Sequence, residues 1–271
     1  MDLARIREAA HMIAKKEPAL SNSVLFFLNI LEAQAHIGEI ISAYFRNEEG
    51  RMLQCLELAE SEGSSLFDIC YLPKIDRSSW KEIASILSSA LASQREDLRE
   101  EANTINESLE EDLFDPESLA RLSFEGDLNY ARGVSFTIGV SEDLLVALGV
   151  WMMQSIFIKI REILEGKIDL KGWNRGFCPI CGSYTRLSFS DESGVHLKCE
   201  ICGMEWEYPE GTCPFCGSSD VGSTEPKEGF RMMRCNGCGN GWNFFDEGVI
   251  GRDIPRELYQ ILMLKYEETQ L

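Results

Sequence analysis

The sequence predicts an all-α N-terminal domain followed by two small β modules, each built around four cysteines. Three observations support this fold class. Apolar residues recur at helical spacing through the first 165 residues, four C-x-x-C pairs are confined to the last third of the chain, and glycines and short β-like runs replace the helical pattern near residue 170. With 271 residues, 44% of them hydrophobic, the chain is long enough for two domains.

The helical elements follow from apolar spacing and from cap residues. Ser78 or Ser79 is expected to cap one helix that continues to about Asn106, and Asp115 followed by Pro116 is typical of a helix start. In all, five to seven helices are expected before residue 165, including segments at 3–16, 23–46, 51–60, 78–106 and 141–164.

The most apolar stretch, Leu144–Ile158, is shorter than a membrane span and contains Gln154 and Ser155, which favours a buried helix. The start of the chain has no apolar region typical of a secretory signal, so a cytoplasmic protein with reduced thiols is expected. A net charge of -19 disfavours direct binding to nucleic acid or to an anionic membrane surface.

Eight of the ten cysteines form the C-x-x-C pairs, at Cys178/Cys181, Cys199/Cys202, Cys213/Cys216 and Cys235/Cys238. Seventeen residues separate the first two pairs and eighteen separate the last two. Both gaps match a four-cysteine metal site, in which two tight turns bring four sulfur atoms around one ion. The spacing therefore predicts two rubredoxin-like or zinc-ribbon modules.

The cysteine region is also an internal repeat, because each unit begins CPxCGS and carries a tryptophan, Trp206 or Trp242, four residues past its last cysteine. The repeat favours sequential pairing, with the first two C-x-x-C pairs sharing one ion and the last two sharing the other. A site that joins Cys199/Cys202 to Cys213/Cys216 stays open at this stage. His196, three residues before Cys199, is a minor candidate for a supporting group.

Two metal ions are expected, one per four-cysteine site, as Zn²⁺ or Fe. Four thiolates close the coordination shell and leave no position for a reacting water, so a hydrolytic metal enzyme is disfavoured. We find no phosphate-binding loop, no G-x-S-x-G and no H-E-x-x-H, and we expect a non-enzymatic protein. The domain boundaries follow as 1–168 for the helical domain, 169–207 and 208–250 for the two ribbons, and 251–271 for a C-terminal helix.

A helical domain followed by CPICGS, HLKCEICGMEW, CPFCGS and RCNGCGNGW resembles the formate dehydrogenase accessory protein family, FdhE. The likeness runs from VALGVWMMQSIFIKI to about Trp242. The segment before the third pair, Glu207–Thr212, lacks the arginine usual in the family, which indicates a diverged member. The resemblance implies an accessory protein that binds the catalytic subunit of a formate dehydrogenase during maturation. Two alternatives remain, a rubredoxin-like electron-transfer protein with iron and a zinc-ribbon adaptor of the transcription machinery.

Overall fold

The fold is described from a computed structural model, which describes residues 2–251 and 253–267. Contacts divide the chain into two compact units. The first is formed by Met1–Asn47 and Pro73–Lys159, and the second by Glu48–Leu72 and Ile160–Leu271. The sequence analysis placed all residues before 168 in one helical domain. In the structure, the segment 48–72 belongs instead to the same compact unit as the cysteine-rich region.

The first unit is entirely helical in its described part. Helices α1 (Leu3–Lys16) and α2 (Ser21–Ile41) meet along apolar faces that bury Ile6, Ile13 and Ile37. The amides of Gln34 and Gln154 form a buried hydrogen bond of 3.0 Å inside this apolar core. Its helices are α1 (Leu3–Lys16), α2 (Ser21–Ile41), α5 (Arg77–Gln94), α6 (Arg99–Glu110), α7 (Pro116–Glu125), α8 (Asn129–Ile138) and α9 (Glu142–Leu164), of which α9 continues into the second unit.

The single helix predicted from Ser78 to about Asn106 is wrong, because the chain breaks after Gln94. Arg95 adopts an extended backbone and a short 3-10 turn precedes α6. The cap of α5 is Asp76, not Ser78 or Ser79, and its carboxylate accepts a hydrogen bond from the Ser79 main-chain N–H at 2.9 Å. The described residues before residue 165 hold nine α-helices, more than the five to seven expected, because short helices escape a periodicity criterion.

The second unit combines two helices with a sheet. Helix α3 (Glu49–Glu62) ends at Gly63, which has a left-handed backbone, and α4 (Leu66–Ile69) follows directly. The six strands are β1 (Leu187–Asp191), β2 (Gly194–Lys198), β3 (Glu205–Glu207), β4 (Val221–Lys227), β5 (Phe230–Cys235) and β6 (Gly241–Asp246).

These strands form one sheet with the order β3-β2-β1-β6-β5-β4. Strands β1 and β6 are parallel, and every other neighbouring pair is antiparallel. The two ribbons expected from the repeat therefore share a continuous sheet, in which the first strand of one repeat pairs with the last strand of the other. A helical N-terminal region followed by a small sheet confirms the predicted fold class.

The C-terminal part of the second unit packs on one face of this sheet. Helix α10 (Glu247–Ile250) follows β6, and α11 (Tyr259–Glu267) places Tyr259 on Phe245 with ring centroids 4.4 Å apart. The C-terminal helix predicted within residues 251–271 is present as α11, and residues 268–271 lie outside the described part of the chain.

Two helical segments are long and apolar enough to cross a membrane by length and composition, Pro18–Phe45 and Glu142–Leu164. In the apolar 18-residue stretch of Glu142–Leu164, 67% is buried inside the protein. This segment contains the apolar stretch at residues 144–158, for which the sequence favoured a buried helix. Length and apolarity are weak evidence for a membrane span, since core helices of globular proteins share both properties.

Candidate metal centres

The four C-x-x-C segments fold into turns of the same geometry. In each, the main-chain N–H of the first cysteine donates to the carbonyl oxygen five residues later, at 2.8–2.9 Å. The N–H of the glycine that follows the second cysteine donates back to the carbonyl of the first, at 2.9–3.0 Å. These bonds close each turn, so both sulfur atoms of a pair point to the same side.

The glycine at the end of each turn has a backbone that other residues rarely adopt. Gly182, Gly203, Gly217 and Gly239 have φ between 74° and 76°. This left-handed conformation carries a steric cost for a side chain with a Cβ, which explains the C-x-x-C-G pattern. The Cys178 sulfur also accepts the Ile180 N–H at 3.4 Å, a contact that stabilises a thiolate.

The first cluster contains Cys178, Cys181, Cys199 and Cys202. Its four sulfur atoms all lie within 4.8 Å of one another. Cys178 is 3.4 Å from Cys202 and Cys181 is 3.4 Å from Cys199, measured between sulfur atoms. These distances exceed a disulfide bond of about 2.05 Å, so the sulfurs are close but not bonded.

The second cluster contains Cys213, Cys216, Cys235 and Cys238. Cys213 is 3.7 Å from Cys238 and Cys216 is 3.6 Å from Cys235, again between sulfur atoms. A tetrahedral zinc site with Zn–S bonds of about 2.3 Å has sulfur–sulfur edges of roughly 3.8 Å. Both donor sets therefore fit one tetrahedral thiophilic ion each, and both clusters follow the sequential order of the pairs.

In both clusters the pKa values of the thiols are shifted, some upwards and some downwards. Burial raises the pKa of Cys178 and of Cys202 well above the ordinary thiol value. Burial also raises the pKa of Cys213, to about 12. At Cys238, the main-chain N–H of Asn240 lowers the pKa to about 6. A bound cation would compensate the charge of the buried thiolates, as expected for a metal site.

Helix α4 covers the first cluster. The main-chain N–H groups of Leu66 and Phe67 donate to the carbonyl oxygens of Pro179 and Ile180 at 2.8 and 3.0 Å. These N–H groups belong to the first turn of the helix, where they have no partner inside it. The carbonyl groups of the cysteine turn thus provide hydrogen-bond partners for the free N–H groups of the helix, and the helix shields the turn from water.

A capping box prepares α4 for this contact. The Asp68 carboxylate accepts hydrogen bonds from the Ser65 N–H and hydroxyl at 2.9 and 2.7 Å, while Ser65 caps the Asp68 N–H. Sequence reasoning missed these residues, although Ser-x-x-Asp is a signal close to the capping-box pattern. On the other side, the buried Lys198 amino group donates to the Gly203 carbonyl at 3.4 Å.

The second cluster rests on apolar side chains. Cys213, Cys235 and Trp242 are buried together, with Phe215, Val221 and Met233 packed against them. Trp242 thus packs within its own ribbon. The corresponding Trp206 is buried as well, and its indole N–H donates to the Arg175 carbonyl at 2.9 Å.

The two cysteine turns that open the repeats approach each other closely. A Cβ on Gly176 would lie 1.6 Å from the Pro214 carbonyl oxygen, so only glycine fits there. Tyr184 and Phe215 stack with centroids 5.9 Å apart and an angle of 18° between their planes. These contacts join the first and third turns in addition to the shared sheet.

His196 and the two cysteines outside the C-x-x-C pairs, Cys55 and Cys70, do not belong to the clusters. The His196 imidazole contacts Asp191 at 3.2 Å and Ser193 at 2.9 Å, and it stacks on Phe189. It therefore belongs to a polar group on the sheet. Cys70 is buried, and its sulfur accepts a hydrogen bond of 2.9 Å from the Arg51 guanidinium.

The chain has a helical region followed by a sheet that carries two tetracysteine clusters. This fold and these sites are those of a metal-binding protein with a helical domain. No family model matches the chain. Curated relatives named Protein FdhE homolog come from Erwinia tasmaniensis, 28% identical over 165 residues, and Aquifex aeolicus, 28% identical over 127 residues. These alignments cover 59% and 43% of this chain but 50% and 44% of the relatives, so the chain spans about half of their length.

Protein FdhE of Escherichia coli is 23% identical over 235 residues, which cover 83% of this chain and 71% of that protein. The crystal structure of the FdhE protein from Pseudomonas aeruginosa superposes with a TM-score of 0.58 at 17% identity, and covers 98% of this chain and 91% of that one. The sequence matches, at 23–28% identity, confirm the resemblance to the FdhE family that the sequence indicated, and the crystal structure shows that the fold is shared.

Proposed function

We propose that the chain is a non-enzymatic, metal-binding accessory protein that binds the catalytic subunit of a formate dehydrogenase-type oxidoreductase in the cytoplasm. The observation that carries the proposal is the pair of tetracysteine clusters in a chain with FdhE relatives. The eight cysteines of the two clusters are the proposed metal ligands, and each cluster takes one Zn²⁺ or Fe ion.

A tetrathiolate centre supports a binding role because it stabilises a small fold without offering an open coordination position. Structural zinc contributes about 10–16 kcal/mol of apparent binding free energy at neutral pH in small zinc-binding peptides. Strands of three to seven residues bury little apolar area by themselves, so a bound ion would stabilise the ribbons substantially. The ribbons would then present a fixed surface to a partner.

The metal part of the proposal is tested by metal analysis of purified single-cysteine variants. Cys178→Ser and Cys213→Ser should each lower the bound metal by about one equivalent, because each removes one ligand of a different centre. Cys55→Ser is the matched control, since Cys55 lies outside both clusters. Unchanged metal content in both cluster variants would show that these cysteines do not bind the ions.

The partner is tested by capture of the tagged chain from its own cells grown anaerobically, with mass spectrometry of the bound proteins. Recovery of the catalytic subunit of a formate dehydrogenase-type enzyme, and a complex between the two purified proteins, is the expected result. Recovery of transcription machinery or of an unrelated enzyme, with no complex in the purified system, contradicts the accessory role.

A rubredoxin-like electron-transfer function is the second candidate. It is favoured by one observation, the exposure of Cys216 and Cys238, because exposed ligands shorten the path for an electron from an iron ion to a partner. This function requires a coloured iron form with a reversible one-electron couple. A native protein that contains zinc and shows no such couple eliminates it.

A further inference from the structure

The two clusters have the same ligands and the same turns but different access to solvent. In the first cluster all four cysteines are buried, with exposed fractions between 0% and 3%. In the second, Cys213 and Cys235 are fully buried, whereas Cys216 and Cys238 are exposed. The second cluster therefore opens to solvent on the side that carries the second cysteine of each pair.

The glycines of the four turns show the same difference independently of the sulfur atoms. A Cβ on Gly182 would lie 2.9 Å from the Ser65 hydroxyl, and one on Gly203 would lie 3.8 Å from the Lys198 amino group. A Cβ on Gly217 or Gly239 would meet nothing within 4 Å. Because the four turns are equivalent in backbone geometry, their surroundings alone distinguish the two clusters.

The cover of the first cluster is an ordered structure held by several hydrogen bonds. The first turn of α4 donates to the turn at Cys178, and the capping box of Ser65 and Asp68 holds this helix end in place. Among the described residues, the second cluster has helix cover of this kind at neither turn. Of its two exposed cysteines, Cys238 accepts a hydrogen bond from the Asn240 side-chain amide at 3.4 Å.

From this asymmetry we infer that the second cluster is the exchange centre of the protein, the site at which the bound metal ion is exchanged. The first cluster is a structural centre that keeps its ion. A tetrathiolate shell has no open position, so exchange requires an incoming ligand to replace a cysteine. Only Cys216 and Cys238 can be replaced without displacing protein. The incoming ligand is a soft donor, either a free thiolate or a thiolate on a partner protein. This inference rests on the metal-binding part of the proposed function.

The test uses the full-length chain loaded with two equivalents of Zn²⁺ and an excess of a chromogenic chelator. We expect one equivalent to leave in a fast phase and the other at least about tenfold more slowly, a difference of about 1.4 kcal/mol in activation free energy. N-ethylmaleimide added during the fast phase should label Cys216 and Cys238, and peptide mass spectrometry should find the first-cluster cysteines unlabelled.

Two variants locate the phases. Cys238→Ser should remove the fast equivalent and leave the slow one, because it changes only the second cluster. Asp68→Ala removes the carboxylate of the capping box and should accelerate the slow phase, with the fast phase unchanged. Acceleration of both phases would indicate general unfolding and not loss of the cover.

Release of both equivalents at one rate, or labelling of the buried cluster in the fast phase, overturns the inference. These outcomes leave the proposed function intact, because a metal-binding accessory protein does not require unequal centres. A chain that holds fewer than two equivalents at the outset contradicts the metal-binding proposal itself, and the exchange centre with it. The wild-type labelling pattern decides the question even where a variant does not fold.

Discussion

Arg256 joins the C-terminal segment to the sheet, and its replacement should destabilise the second unit strongly. Its guanidinium contacts three carboxylates, Glu247 at 2.5 Å, Glu205 at 2.6 Å and Asp191 at 3.1 Å. It also lies over the ring of Phe189, 3.8 Å from the centroid. Three elements that are distant in the sequence therefore depend on one side chain.

The expected loss follows from the burial of these partners. Removing one member of a buried ion pair costs about 3–5 kcal/mol, because the remaining charge is left without compensation. The Glu247 side chain is only 3% exposed, but that of Arg256 is 26% exposed, so water screens part of the interaction. For Arg256→Met we therefore expect a decrease of about 2–4 kcal/mol in the free energy of unfolding.

Urea unfolding, followed by tryptophan fluorescence of the metal-loaded protein, measures this loss. Arg231→Met is the matched control, because Arg231 also lies over a phenylalanine, at 4.2 Å from the Phe244 centroid. Among the described residues, the Arg231 guanidinium forms an ion pair with one carboxylate, that of Asp246, at 3.7 Å. Arg231→Met should therefore lower the free energy of unfolding by no more than about 1 kcal/mol. A loss below about 1 kcal/mol for Arg256→Met, or equal losses for both variants, refutes the reasoning.

The remaining predictions concern pH, backbone contacts and a helix cap. Burial alone would raise the pKa of Glu205, but the charges of Lys198 and Arg256 lower it below the ordinary 4.5. The Glu205 carboxylate binds a proton more tightly in the unfolded chain, so its ion pairs stabilise the folded protein at neutral pH and this stabilisation is lost as the pH falls below about 4.5. In urea titrations, the difference in free energy of unfolding between wild type and Arg256→Met should therefore become smaller below that pH. A gap that widens in acid would contradict the assignment. Gly176→Ala places a Cβ against the Pro214 carbonyl oxygen and should lower the free energy of unfolding by about 1–3 kcal/mol. Gly222 has open space around it, so Gly222→Ala should lower it by less than about 1 kcal/mol in the same urea assay. Equal effects would mean that the two cysteine turns do not approach as closely as described. The Asp115 carboxylate caps α7 by accepting a hydrogen bond from the Ser118 N–H at 2.8 Å, so Asp115→Ala should lower the free energy of thermal unfolding of the first unit by about 1 kcal/mol. Asp115→Asn keeps a capping oxygen and should restore most of the lost stability. If it does not, the loss comes from the ion pair between Asp115 and Arg77.

Much of the helical region could be predicted from local signals. Helix α1 begins and ends as its apolar spacing indicated, and α7 starts at the Asp115-Pro116 cap and first turn. The failure at Arg95 has a local cause, since the apolar spacing resumes after the break and hides it. The cap of α5 was misplaced because Asp76, Ser78 and Ser79 are all good capping residues within four positions.

The cysteine spacing by itself predicted two four-cysteine sites, and the repeat favoured sequential pairing of the C-x-x-C turns. The placement of the sulfur atoms in the structure decided against a site that joins Cys199/Cys202 to Cys213/Cys216. The cysteine motifs also indicated the family. The sequence did not determine that the two ribbons share one sheet, since the pairing of β1 with β6 joins residues 56 positions apart in the chain through main-chain hydrogen bonds, to which side-chain patterns are indifferent. Nor did it determine the cover of the first cluster or the opening of the second, because exposure depends on which distant segment packs over a turn. The helix at residues 66–69 packs over the turn at Cys178, and the turns at Cys216 and Cys238 have no such helix among the described residues.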